Sequence, residues 1–298
     1  MYLQKIFLPI LGFSLVSFIF PIYNTLGVIA QSKTDSGSVP SDFQPILQTQ
    51  GVQVYKKITN ISFPKTHTTS KTPTTQKEFI TIVDIRKASL KNLTGTLVNN
   101  RKHQFKVTKK TINQFWQDAA SQYSHQKQLH QKKLQVVLNG TFFSTKENPT
   151  GIAFGLQTNS KLITYGYAIG NEYPGQITTF AFKPSLSSAT IAAYTPQAFQ
   201  LYPEVVGALH PLADKSAKKY LPRTFVGIKD KNKDSINETV IFYSSNYARQ
   251  IDAIATLRKF GSHRNAMLDG GGSTGIIVNH KPMILTNRPI PHAIAIYQ

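Results

Sequence analysis

Two stretches of the chain carry a helical period. From Thr111 onward, Ile112, Phe115, Trp116, Ala119, Ala120 and Tyr123 recur at three- and four-residue spacings, which places them along one face. Thr111 followed by Gln114 fits a capping box at the start of that helix, and Trp116 is expected in the core. A second stripe, Tyr247, Ile251, Ile254 and Leu257, predicts a helix beginning near Ser245, with Gly261 as its stop. Elsewhere the apolar residues come in short runs separated by Gly, Pro and Asn turns. These predict strands at 52–58, 78–85, 135–138, 151–158, 177–183, 224–228, 239–243, 266–268, 275–278 and 293–297. The expectation is an α+β fold: mixed, mostly antiparallel strands with two long helices packed against the sheet, in a single domain.

The N-terminal pattern is of another kind. Lys5 precedes an uncharged run from Ile6 to Ser32, apolar at its heart and followed by the small residues around Ala30. That order predicts a signal peptide over residues 1–30 and an exported protein, whether secreted, periplasmic or held at the cell surface. Pro9 and Pro21 make the same run a poor membrane-spanning helix. Residues 31–46, rich in Ser, Gly, Pro and Asp, predict a flexible linker, leaving 47–298 as the folded domain. Within it, PKTHTTSKTPTTQ at 64–76 predicts a long solvated loop between two strands.

Charge narrows the choice of partner. The 298 residues include 34 basic and 14 acidic side chains, a net charge of +20. Such a surface attracts polyanions, and peripheral association with an anionic cell surface is one expectation. Nucleic acid is not expected, because no recognised nucleic-acid motif occurs and the chain carries an export signal. With no cysteine, disulfides, thiolate metal sites and cysteine nucleophiles are excluded. The eight histidines form no HExxH motif, so no cofactor and no zinc site are expected. Glu172, in Gly170-Asn171-Glu172-Tyr173-Pro174, offers loop oxygens of the kind calcium takes, which alone do not make a site.

Three segments carry candidate chemistry. In the first, an apolar strand runs into Asn139-Gly140-Thr141-Phe142-Phe143. The Asn139 amide could orient sugar hydroxyls, since it both donates and accepts; read alone, Asn-Gly is an ordinary turn. In the second, Leu221-Pro222-Arg223-Thr224, Arg223 stands at a strand entrance where a guanidinium can clamp a phosphate, although a surface arginine is common in so basic a chain. The third, Leu268-Asp269-Gly270-Gly271-Gly272-Ser273-Thr274, is the most specific. Three glycines permit close backbone approach to a ligand, with N–H groups turned toward an anion, and Ser273 and Thr274 add hydroxyls. It is neither a P-loop nor a dinucleotide fingerprint, because the lysine and the following helix are missing. Of the remaining carboxylates, Asp84 and Glu204 are the candidates for a second acid–base partner of Asp269.

Together, in this order, the three segments resemble the phosphodiester glycosidase family over roughly residues 78–298. Asn287-Arg288-Pro289 before the last strand also looks family-like. The resemblance implies a hydrolase that cleaves a sugar-1-phosphate diester at the bond to the sugar, acting on a phosphorylated glycan or anionic polysaccharide. It implies Asp269, Arg223 and Asn139 as catalytic residues. Gly140, Thr224, Gly270, Gly271, Gly272, Ser273, Thr274 and Arg288 would contact substrate. Thr141 stands where the family often has a second glycine, and its side chain is expected to narrow the pocket. A non-catalytic binder of phosphorylated polymer and a phosphodiesterase that cuts P–O are the alternatives.

Overall fold

The structure, a computed structural model, describes residues 39–61, 74–101, 104–125 and 132–298. Its strands are β1 (Gln44–Gln48), β2 (Val52–Ile61), β3 (Thr74–Asp84), β4 (Ser89–Thr94), β5 (Leu97–Arg101), β6 (Gln104–Val107), β7 (Leu134–Asn139), β8 (Leu156–Thr158), β9 (Lys161–Thr164), β10 (Ile177–Lys183), β11 (Ser188–Ala193), β12 (Glu204–Leu209), β13 (Leu221–Lys229), β14 (Thr239–Ala248), β15 (Arg264–Met267), β16 (Ile276–Val278), β17 (Lys281–Ile284) and β18 (His292–Tyr297). Three α-helices accompany them: α1 (Ile112–His125), α2 (Ala198–Leu201) and α3 (Gln250–Lys259).

Every described strand pair is antiparallel. One sheet has 13 strands; its main path runs β1-β2-β3-β14-β13-β15-β12-β8-β9-β6-β5, with β10 on β12 and β11 on β10. The other has five, in the order β17-β16-β7-β18-β4. This overturns the α+β expectation of two long helices on one sheet. Among the described residues the chain is mostly β, built as two facing sheets, and the longest helices have 14 and 10 residues.

Alternation along the strands explains the layering. Val226 and Ile228 of β13 and Val240 and Phe242 of β14 share one core with Val136 and Leu138 of β7 and Ile294 and Ile296 of β18, so this core lies between the sheets. The residues between them in sequence point the other way. Phe225, Ile241 and Tyr243 meet Ala253, Ile254 and Leu257 of α3, whereas Val137, Ala293 and Ala295 meet Phe115 and Trp116 of α1. Truncating a fully buried ring such as Phe225 would cost about 3–5 kcal/mol.

Element ends correct several expectations. The second helix does not begin near Ser245: β14 continues to Ala248, and Asp252 accepts the Arg249 backbone N–H at the helix start. Ile251, placed on the buried stripe, is 54% exposed. The capping box of α1 forms, with Thr111 N–H donating to Gln114 Oε1 at 2.8 Å and Gln114 N–H donating to Thr111 Oγ1 at 3.2 Å. The expected linker is structured at its end, where β1 starts at Gln44 and the buried Phe43 ring meets Phe260 edge-on. The last residues of the expected 64–76 loop, Thr74–Gln76, open β3. The signal peptide at 1–30, the start of the linker and most of that loop lie outside the described residues.

Candidate active site

Three neighbouring strand ends supply the frame. β7 ends at Asn139, β13 carries Thr224, and the chain leaves β15 through Leu268 to Asp269. Backbone hydrogen bonds tie them: Leu268 N–H donates to Thr224 O at 2.9 Å, and Asp269 N–H donates to Gly140 O at 3.0 Å. Asn139, 1% exposed, is the knot between them. Its Nδ2 donates to Asp269 O at 2.6 Å, and its Oδ1 accepts from Thr224 Oγ1 at 2.8 Å and from Gly275 N–H at 3.1 Å. An amide so engaged holds Asp269 in place; it is not presented to sugar hydroxyls as expected from sequence.

Asp269 lies on a cavity of about 400 Å³ that also reaches Phe142, Tyr167, Glu172, Lys215, Arg223 and Arg288. Burial pushes its carboxyl up to about 6, against the Ser273 hydroxyl, the Gly270 N–H and the charges of Lys215 and Arg288, which all pull it down. The carboxylate thus titrates near neutral pH with two cations beside the same cavity.

Arg223 has a different task from the one its position suggested. The residue is 3% exposed, and its guanidinium donates to Ala248 O at 3.3 Å, Lys215 O at 2.9 Å, Ser216 O at 2.7 Å and Lys219 O at 3.1 Å. Those bonds use four of its five N–H donors. Arg223 therefore clasps the 215–219 loop and leaves little to offer a phosphate. Gln250 of α3 holds the same loop from the other side, accepting the Lys215 N–H at 3.0 Å. The loop presents Lys215, whose Nζ sits 5.4 Å from the centroids of Phe142 and Tyr173. Lys215 is the exposed cation that sequence reasoning passed over.

The glycines divide by role. Gly140 is needed for packing, because a Cβ there would come within 1.9 Å of His292 Nδ1. His292 is buried and held neutral, its pKa pushed down to about 3 by desolvation. Its Nδ1 accepts the Thr141 N–H at 3.0 Å, which leaves the proton on Nε2, 3.2 Å from Asn92 Oδ1. Gly270 and Gly271 line the cavity, and Gly271 adopts φ +58°, a left-handed conformation. A Cβ on Gly272 would meet the Arg288 guanidinium at 2.7 Å, so this glycine lets Arg288 lie across the turn. The N–H groups of Ser273 and Thr274 close the turn onto the carbonyls of Gly270 and Gly271.

Several expected substrate contacts are internal. Ser273 and Thr274 are buried, and Thr224, though it borders the cavity, spends its hydroxyl on Asn139. The Thr141 side chain does not narrow the pocket: it turns inward and donates to Gly207 O at 2.7 Å. Neither proposed partner carboxylate reaches the cavity. Asp84 is paired with Arg86, while Glu204 accepts the Asn159 N–H at 3.0 Å beneath β12. Glu172 is the second carboxylate on the cavity. Tyr167 lies there as well, 50% exposed, its ring 3.1 Å from where a Gly151 Cβ would stand. The Tyr165-Gly166-Tyr167 segment, aromatic yet outside any periodic pattern, was the one signal in the sequence for it.

A family model described as phosphodiester glycosidase matches residues 132–297, more than half of the chain and all three segments of the site. The chain belongs to the phosphodiester glycosidase family. No curated protein sequence matches it. Among solved structures, the catalytic domain of zebrafish N-acetylglucosamine-1-phosphodiester alpha-N-acetylglucosaminidase, auto-inhibited by its pro-peptide, is similar with a TM-score of 0.58 at 14% identity, over 84% of each chain. A hypothetical protein from Synechocystis is similar with a TM-score of 0.52 at 11% identity, over 86% of this chain and 63% of that one. At such identities these two likenesses speak for the fold alone.

Proposed function

We propose that the protein is an exported hydrolase that cleaves the glycosidic C–O bond of a sugar-1-phosphate diester in a phosphorylated glycan or cell-surface polysaccharide. The observation that carries this reading is the Asp269 carboxyl, lifted to about 6 on a cavity that also holds Lys215 and Arg288. A phosphate ester is a good leaving group, so the reaction gains more from cations on the phosphate than from a strong acid. Lys215 and Arg288 supply them. Asp269 takes a proton from the attacking water as the water oxygen joins the anomeric carbon. The bond from that carbon to the phosphate oxygen breaks, and the phosphomonoester leaves with the bonding pair.

The rest of the cavity fits a sugar. Tyr167 offers an exposed aromatic face and Glu172 a hydrogen-bond acceptor at the rim. Export is supported by the order of residues 1–30, and a strongly basic surface suits an anionic polymer outside the cell.

Reaction of a hexose-1-phosphate diester in ¹⁸O-labelled water tests the chemistry. Label in the released sugar supports glycosidic cleavage; label in the phosphate would establish a P–O phosphodiesterase instead. Binding with no released sugar over prolonged incubation would leave only a phosphoglycan-binding role. Cell fractionation followed by N-terminal sequencing tests export, which fails if the protein stays inside the cell with residues 1–30 retained.

A further inference from the structure

β15 borders two separate hollows. Past its C-terminal end lies the cavity with Asp269. Its first residues, Arg264 and Asn265, line a second cleft of about 360 Å³ between β10, the end of β12 and α3. At ~3.3 Å per residue, Arg264 and Asp269 are on the order of 15 Å apart along the chain.

The second cleft has a definite chemical character. Its wall includes Arg258, Arg264, His210 and His263, and no carboxylate. Among the described residues Arg258 forms no salt bridge, and the Arg264 guanidinium makes one hydrogen bond, from Nη1 to Ile191 O at 3.3 Å. Their remaining donors are available to an anion. His210 accepts the Leu212 N–H through Nδ1, leaving Nε2 as its free ring position. Thr178 also lines the cleft. It is 7% exposed, yet its buried hydroxyl has no hydrogen-bond partner. That oxygen is shut off from solvent, so the hydroxyl is not presented to the cleft. Leu212, 67% exposed, and Ile254 add an apolar wall suited to the C–H face of a pyranose.

We propose that this cleft is a second, non-catalytic binding site for an anionic hexose, its phosphate or carboxylate held by Arg258 and Arg264 and its ring laid against Leu212. The site does not depend on what the Asp269 cavity does, and it can be tested without turnover.

The test is calorimetric titration of the full-length protein with glucose 6-phosphate, glucuronate, glucose and inorganic phosphate. Lys215→Ala/Arg288→Ala protein, titrated alongside, removes the cations of the catalytic cavity and so isolates the cleft. One anionic hexose should bind to both proteins, and the two acids show whether phosphate or carboxylate is preferred. The Arg258→Ala/Arg264→Ala variant should lose at least ten-fold in affinity, whereas Lys87→Ala/Lys281→Ala, which removes two charges elsewhere, should not. Thr178→Val, which changes a hydroxyl shut off from the cleft, should bind as the wild type does, with Tm unchanged or higher. Binding that is absent in the wild type, matched by inorganic phosphate alone, or indifferent to the arginine pair would overturn the proposal.

Discussion

Burial lifts three described carboxyl groups, Glu78, Glu204 and Asp269, and of these only Asp269 lies on the candidate catalytic cavity. Glu204, at the start of β12, is pushed up to about 7. Asp269 is pushed up to about 6. The rise at Glu204 is comparable, although that residue does not line the Asp269 cavity. Glu204 is sealed beneath the sheet, with the Asn159 N–H on one oxygen and no hydrogen bond on the other. Asp269 opens onto a cavity with Lys215 and Arg288. A raised pKa thus measures desolvation in both places. Access and opposite charge separate a group that can exchange protons with a substrate from one that merely bears the cost of burial.

Substitution of each carboxyl tests that contrast most strongly. Asp269→Asn should lower kcat/KM by about 10²–10⁴-fold, whereas Glu204→Gln should leave activity on the same sugar-1-phosphate diester within a few-fold. Equal losses at both positions would remove the distinction.

The next effect concerns how Asp269 acquires its neighbours. Arg223→Ala strips donors from carbonyls of the 215–219 loop and opens a buried position, and should destabilise the protein on the order of 3 kcal/mol. Denaturant unfolding measures that loss. Activity should fall together with protection of the loop against hydrogen exchange. If activity fell while the loop stayed protected, Arg223 would instead act on the substrate directly. A smaller change is expected at the rim. Tyr167→Ala should raise KM about 3- to 10-fold with kcat largely kept, and Tyr167→Phe should behave like wild type, because the ring face and not the hydroxyl meets the sugar. Steady-state kinetics on one substrate decide it.

The finest effects are in pH. As general base Asp269 must be ionised, so kcat/KM should fall as pH drops through about 6. Lys215 holds that carboxyl down, so Lys215→Ala should move the acid limb of the profile upward. Glu204 gives a stability signature in place of a kinetic one. Its folded pKa, about 7, exceeds the ordinary 4.5, so the folded state binds the extra proton between those values. The sign is therefore a loss of stability as pH rises from 4.5 to 7, and Tm measured across that window should fall less in Glu204→Gln.

Parts of this arrangement were legible along the chain. Asp269 with its three glycines stood out because no regular element tolerates that run. The order of Asn139, Arg223 and Asp269 pointed to one family. The fold class was misread for a physical reason. β7 and β18 are buried at every residue, as each lies between the inter-sheet core and α1, and such strands show no alternation to count. The second helix was extended backward because Tyr247, on β14, falls by chance in phase with Ile251 and Ile254.

Sequence by itself determined which residue types the site has at hand: a carboxylate followed by flexible backbone, an amide and arginines, and no thiol or HExxH motif to suggest other chemistry. Tertiary structure alone decided their duties. It turned Asn139 and Arg223 inward as clasps, because a buried amide or guanidinium must find partners and the nearest were backbone groups of adjoining strands and loops. It brought in Lys215, Glu172 and Tyr167 from irregular segments, whose positions depend on long-range contacts that no local pattern encodes.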